Sequence, residues 1–214
     1  SKMHCAKLCN MGIPMGLQCS ITAIGSVLLQ GAVNGLGSDI VAAQTAGGKA
    51  APFLSVPLES IGTAMTTYAS QNMGAHDLGR VNKGVNTALG IGCVYSVASF
   101  LTLRVLDKPL IGLFLEGDQT EIMANAQSFI FWNSVFYIPL AVLIIYRYTI
   151  QGLGYSGLAM FAGVAEMVAR ALVGLFVPMW GYFAACIANP VAWFFACFFL
   201  IPAYIVVYRR LQKE

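Results

Sequence analysis

Apolar stretches long enough to cross a bilayer recur along this chain, separated only by short polar breaks. A helix needs about 20 predominantly apolar residues to span the hydrocarbon core. Six stretches meet that length, at 12–36, 40–73, 81–105, 121–151, 158–179 and 182–208. Residues 191–207 are apolar on every side, whereas a membrane β-barrel strand alternates polar and apolar residues. In hydrocarbon a helix satisfies its own backbone hydrogen bonds, so the pattern predicts an all-α membrane protein with six transmembrane helices. Only 10% of the 214 residues are charged, against about a quarter in soluble domains, which excludes an ordinary soluble enzyme or a disordered regulator. A net charge of +3 is too small for a nucleic-acid groove.

The breaks predict the path. Pro52 and Pro57 predict a kink near the centre of the second stretch, and Pro139 a second kink in the fourth. Residues 107–118 read as an amphipathic connector beginning at Pro109. The tight turn at 152–157 makes the fourth and fifth helices antiparallel neighbours. With six spans both termini share a side. That side carries Lys2, Lys7, Arg80, Lys83, Arg209, Arg210 and Lys213; the other carries Arg104 and Lys108 among Asp107, Glu116, Asp118 and Glu121. The imbalance places both termini and the 72–84 loop in the cytoplasm.

Five charges remain inside the spans: Lys49, Glu59, Arg147, Glu166 and Arg170. Each costs about 3 kcal/mol at the bilayer centre on insertion scales, so such groups face protein or a watery cavity. Glu166 and Arg170 are four apart and share one helix face, as do Arg147 and Gln151. Counting back from the 152–157 turn places Glu166 about one helical turn deeper than Arg147, within its reach. Two readings follow. In one, these are structural ion pairs that lock the fourth helix to the fifth. In the other, Glu166, Arg170 and Lys49 line a transport cavity and exchange partners during a cycle. Snorkelling to the headgroups is the further alternative for Arg147 and Lys49. Gln18, Gln30, Asn34, Asn133 and Tyr137 add uncharged polar groups, suited to interhelical hydrogen bonds or to ligand contacts.

Several apparent motifs carry no chemistry. Residues 152–157 match G-x-G-x-x-G but lack the preceding strand that a dinucleotide site needs. Gly154-Tyr155-Ser156-Gly157 resembles a protease serine motif, but both histidines, His4 and His76, lie in polar segments away from it. Asn189-Pro190-Val191 is a single copy of a box that water channels use twice. His4, Cys5 and Cys9 lack a fourth zinc ligand. No enzyme and no resident metal or cofactor is expected.

Other stretches point to a family. Ala69-Ser70-Gln71-Asn72-Met73-Gly74-Ala75 followed by Arg80-Val81-Asn82-Lys83-Gly84 resembles the signature after the second helix of a lobe in multidrug and toxic compound extrusion (MATE) transporters. Gly12-Ile13-Pro14-Met15-Gly16-Leu17-Gln18 resembles the opening of that family's seventh helix. Tyr146-Arg147, the 151–155 stretch and Ala162 to Glu166 with Arg170 resemble its tenth and eleventh helices. The resemblance implies a multi-pass cell-membrane antiporter that exports drugs or organic cations in exchange for Na⁺ or H⁺. This chain would be the C-terminal six-helix lobe, and its partner a missing N-terminal lobe. One departure stands out. The acids that some branches place in the seventh and tenth helices are missing, since neither 20–26 nor 134–145 holds a carboxylate. Glu59 and Glu166 are the remaining membrane acids. The alternative reading is a six-helix channel or scaffold that works as a homo-oligomer.

Overall fold

A computed structural model describes residues 2–115 and 119–213, and its regular structure is entirely helical. Among the described residues eight helices follow one another: α1 (Lys2–Asn34), α2 (Ser38–Ala50), α3 (Pro52–Gly74), α4 (Leu78–Gly112), α5 (Thr120–Val135), α6 (Tyr137–Gly152), α7 (Ser156–Trp180) and α8 (Tyr182–Leu211). The side chains of Lys2, His4 and Lys7 and the residues Glu116 and Asp118 lie outside what is described, and with them part of the charge count and of the His4–Cys5–Cys9 spacing. Among the described residues, no three His, Cys, Asp or Glu side chains group as metal ligands would.

Pro52 and Pro139 mark interruptions as expected, whereas Pro57 and Pro109 lie inside continuous helices. Pro52 has no N–H to donate, and the helix breaks there into α2 and α3, with Ala51 between them still at helical angles (φ −55, ψ −40). Two tyrosines brace the break: Tyr137 Oη donates to the Ala51 carbonyl (3.3 Å) and Tyr95 Oη to that of Leu54 (3.0 Å). The fourth stretch divides at Phe136, where α5 and α6 meet at 54°. The bend precedes Pro139 because a proline ring crowds the carbonyl four residues back, here that of Val135. Pro139 itself sits in the first turn of α6, where its missing N–H leaves no hydrogen bond broken. The connector expected at 107–118 is instead a helical continuation of α4 through Pro109 to Gly112, held to the core by Ile111, which is fully buried.

By length and composition four helices can cross a membrane, 8–34 of α1 together with α4, α7 and α8, and the bent α5–α6 pair makes a fifth. The sixth expected span, 40–73, does not meet the same measure. Its α2 half has 13 residues, and its α3 half carries Glu59 with Ser55, Ser60, Thr63, Thr66 and Thr67. The outer surface is apolar: Val94, Val105, Leu175 and Phe198 are each more than 70% exposed. Such side chains suit lipid rather than water, and the chain is a multi-pass membrane protein.

Helix α6 is the hub, packed against α3, α4 and α8, and its Leu143, Ile144, Ile145 and Ile150 are buried with Leu58, Val85 and Leu200. Helix α1 stands apart from this core and runs along α7, which in turn runs along α8. Two glycines permit the close approaches. A Cβ on Gly25 would lie 2.9 Å from the Met167 Cα, and one on Gly152 would lie 2.5 Å from the Thr66 carbonyl oxygen. Neither contact can be relieved by turning a side chain, because both face backbone. The α3–α4 turn lies beside Leu211 and Gln212, so this turn and the end of α8 share one end of the bundle, as the charge pattern expects. Within the turn, Asn72 Nδ2 donates to the Tyr68 carbonyl (2.8 Å), Tyr68 Oη to that of Arg80 (3.2 Å), and the Arg80 N–H to the Asp77 carboxylate (3.0 Å). The conspicuous 69–84 stretch therefore holds a helix–turn–helix corner.

Replacing Gly152 with Ala must push α3 from α6 and is expected to lower stability by about 1–3 kcal/mol. Gly157→Ala, where the added methyl meets nothing within 4 Å, should leave it unchanged. Thermal midpoints of the two purified variants decide the point; equal midpoints would contradict this packing.

Candidate functional site

The polar centre of the bundle is built on the α6–α7 hairpin. A three-residue turn, with Gly154 at φ +89, returns the chain antiparallel and sets Arg147 of α6 opposite Glu166 of α7. An Arg147 guanidinium N–H donates to Glu166 Oε1, and the other carboxylate oxygen accepts from Arg170 Nη2 at 3.1 Å. Glu166 and Arg170 are 3% and 5% exposed, so both charges are buried. The network continues outward from Arg170. Its Nε donates to Asn189 Oδ1 (3.2 Å), Asn189 Nδ2 to Asn133 Oδ1 (3.1 Å), and Asn133 Nδ2 to the carbonyls of Phe129 (2.8 Å) and Cys186 (3.3 Å). One connected set of hydrogen bonds thus joins α6, α7, α8 and α5. It holds two guanidiniums against one carboxylate, and Arg147 Nε and Arg170 Nη1 have no protein partner among the described residues.

On the other side of Arg147 lies a cleft of about 470 Å³ between α1, α3 and α6. Gln18, Cys19, Thr22 and Ser26 of α1 form one wall, and Glu59 of α3 with Arg147, Tyr148 and Gln151 of α6 form the other. Gln151 Nε2 donates to Gln18 Oε1 (2.8 Å), bridging α1 to α6 at the floor. Glu59 is exposed to the cleft, and among the described residues its carboxylate accepts a single hydrogen bond, at Oε2 from Tyr148 Oη at 2.8 Å. The two carboxylates therefore differ in kind. Glu166 is enclosed and compensated by two cations; Glu59 is open and faces a neutral phenol.

The sequence-predicted residues divide accordingly. Gln18, Glu59, Arg147 and Gln151 line the cleft, whereas Glu166 and Arg170 lie behind Arg147 in the buried network. Asn133 belongs to that network, and Tyr137 braces the Ala51 break. Lys49 is outside both: it is exposed, with Nζ 6.0 Å from the Phe114 ring centroid. Gln30 Nε2 donates to Asn34 Oδ1 (3.0 Å) near the end of α1, also away from the cleft. Two contributors carry no strong sequence signal. Asn189 is marked only as an amide beside Pro190 at membrane depth, and Tyr148 only as a hydroxyl next to Arg147.

Neutralising Glu166 leaves the buried Arg170 and the partly buried Arg147 without a counter-charge, a loss of about 3–5 kcal/mol by analogy with buried pairs in soluble proteins. Glu166→Gln is therefore expected to reduce the yield of monodisperse, folded protein sharply, whereas Glu59→Gln should not. Size-exclusion profiles of the two variants make the comparison, and equal wild-type yields would refute the assignment.

Comparison with known proteins gives a consistent picture. The family model described as MatE matches residues 14–176. The probable multidrug resistance protein YoeA of Bacillus subtilis is 21% identical over 118 residues, covering 55% of this chain and 26% of YoeA. Among solved structures, a crystal structure of a MATE protein in complex with MaL6 superposes with a TM-score of 0.91 at 15% identity, covering all of this chain and 49% of that one. The bent form of the Vibrio cholerae MATE transporter VcmN gives 0.86 at 17% identity, covering 96% and 47%. The chain thus spans about half of each solved relative.

Proposed function

Because this chain belongs to the MatE family, we propose that it is one six-helix lobe of a secondary antiporter. The whole transporter would export drugs or other small organic cations in exchange for Na⁺ or H⁺. The 2–211 helical path reads as six passes when α2–α3 and α5–α6 each count as one bent span. In a cell membrane, the positive-inside imbalance would set both ends of this lobe on the cytoplasmic side. Alternating access needs two bundles rocking about a site between them, so the second wall of the cleft would come from an N-terminal lobe. The likeness of this chain to about half of each solved MATE structure supports that arrangement.

One observation carries the choice of residue: Glu59 is the membrane carboxylate open to the cleft and unpaired with any cation among the described residues. In this reading Glu59 receives the cationic substrate or the coupling ion, and Tyr148 orients its carboxylate. Binding of one cation would displace the other from the same carboxylate, which supplies the competition that exchange needs alongside alternating access. Arg147, fixed by Glu166, keeps a positive charge in the same cleft as Glu59, which offsets the carboxylate when no other cation is bound. Glu166 has no free oxygen to offer and serves the lobe's structure instead.

Glu59→Gln is expected to lower efflux of a fluorescent organic cation about tenfold or more, with the amount of folded transporter in the membrane unchanged. Wild-type efflux by this variant would remove Glu59 from the site. This lobe alone, reconstituted in vesicles, should show no ion-driven uptake; uptake at the rate of a whole transporter would overturn the half-transporter reading.

A further inference from the structure

A second polar pocket, of about 380 Å³, lies between α4 and α5, away from the cleft. Its walls carry Arg104 and Asp107 of α4 and Gln127, Ser128, Phe131 and Trp132 of α5. Asp107 is 7% exposed, yet among the described residues its carboxylate accepts one hydrogen bond, from the neighbouring Lys108 N–H to Oδ1 (2.6 Å). The second oxygen has no protein donor there. Arg104 lies over the Phe131 ring, its Cζ 5.1 Å from the centroid, and neither charge has an ion-pair partner among the described residues. A nearly buried carboxylate and an open guanidinium thus share a pocket without neutralising each other.

The depth of the pocket says what reaches it. Helix α4 carries no charged residue between Lys83 and Arg104. At 1.5 Å per residue that gap is about 32 Å, close to the thickness of the hydrocarbon core. Arg104 therefore stands at the headgroup boundary opposite the Lys83 end. Ring contacts run across the bundle at this level, Phe100 to Phe131 (6.2 Å), Phe131 to Trp132 (5.4 Å) and Trp132 to Phe183 (5.2 Å), and Trp132 is a residue type that favours the membrane interface. Below Arg104, Val94, Val97 and Leu101 are exposed at three- and four-residue spacing, forming one apolar stripe that leads to it.

We propose that this pocket binds the headgroup of an aminophospholipid, a primary ammonium joined to a phosphodiester. The Arg104 guanidinium and the Gln127 amide take the phosphate oxygens, the Asp107 carboxylate takes the ammonium, and an acyl chain lies along the Val94–Val97–Leu101 stripe. A primary ammonium supplies the N–H donors that Asp107 lacks. A quaternary choline has none to give, and an anionic headgroup without an amine would be repelled by the carboxylate.

Native mass spectrometry of the purified protein, equilibrated with equal amounts of phosphatidylethanolamine, phosphatidylcholine and phosphatidylglycerol of the same acyl composition, tests the site. The wild type should retain phosphatidylethanolamine about tenfold over the other two. Arg104→Gln, at an exposed position, should lower retention of all three. Asp107→Asn should bring phosphatidylethanolamine down to the level of phosphatidylcholine. The wild-type preference and the Arg104→Gln result stand even if the Asp107 variant does not fold. Equal retention of the three lipids by the wild type, or a preference that survives Asp107→Asn, would overturn the proposal. Soluble phosphoethanolamine binding as tightly as the lipid would overturn the lipid assignment.

Discussion

A carboxylate held between two guanidiniums inside an apolar bundle is the constraint on which the rest of this structure depends. Ions at such depth are costly unless an opposite charge and hydrogen bonds offset them or they face a watery cavity. Glu166 supplies the one counter-charge shared by Arg147 on α6 and Arg170 on its own helix, and Asn189 and Asn133 carry the hydrogen-bond network on to α8 and α5. Helix α7 is thereby fixed in rotation and register against its neighbours. Apolar packing alone specifies this poorly, since lipid is as apolar as the helix surfaces it would replace. The apolar outer face of α7, including Leu175, is consequently directed to lipid.

Fixing α7 also fixes the cleft. Helix α1 packs along α7 rather than on the α3–α6 core, so the angle of α7 determines how far α1 stands from α3. The Gln18–Gln151 hydrogen bond closes the floor and leaves Glu59 open above it. The break at Ala51 and the 54° bend at Phe136 are tied together, since Tyr137, the first residue of α6, donates to the Ala51 carbonyl. The acids thus have separate tasks, one holding the lobe together and one facing the space between helices.

How much of this was legible in the sequence depended on whether a relation lay within one helix, across a short turn, or between distant helices. The Glu166–Arg170 pair follows from four-residue spacing, and the Arg147–Glu166 pair from counting back across a tight turn. Pro52 marks its break directly. Pro139 marks a bend whose position is displaced to Phe136, because a proline disturbs the turn before it. Pro109 misleads, since burial of Ile111 keeps α4 helical beyond it. Helix-to-helix partners were not legible. Periodicity gives the face of a residue but not the helix opposite, so the Tyr148–Glu59 and Asn189–Asn133 contacts and the separation of Lys49 from the cleft required three dimensions.

The charge count of the central cluster gives its most direct test. Two cations and one anion mean that Glu166→Gln leaves two uncompensated guanidiniums, whereas Glu166→Gln combined with Arg147→Gln leaves one. If Glu166 holds the lobe by compensating both arginines, the second substitution should restore part of the stability lost in the first. A double-mutant cycle on the purified protein should then give a coupling energy of about 2 kcal/mol or more. Losses that simply add, with the double variant less stable than Glu166→Gln by the full cost of Arg147→Gln, would contradict the account.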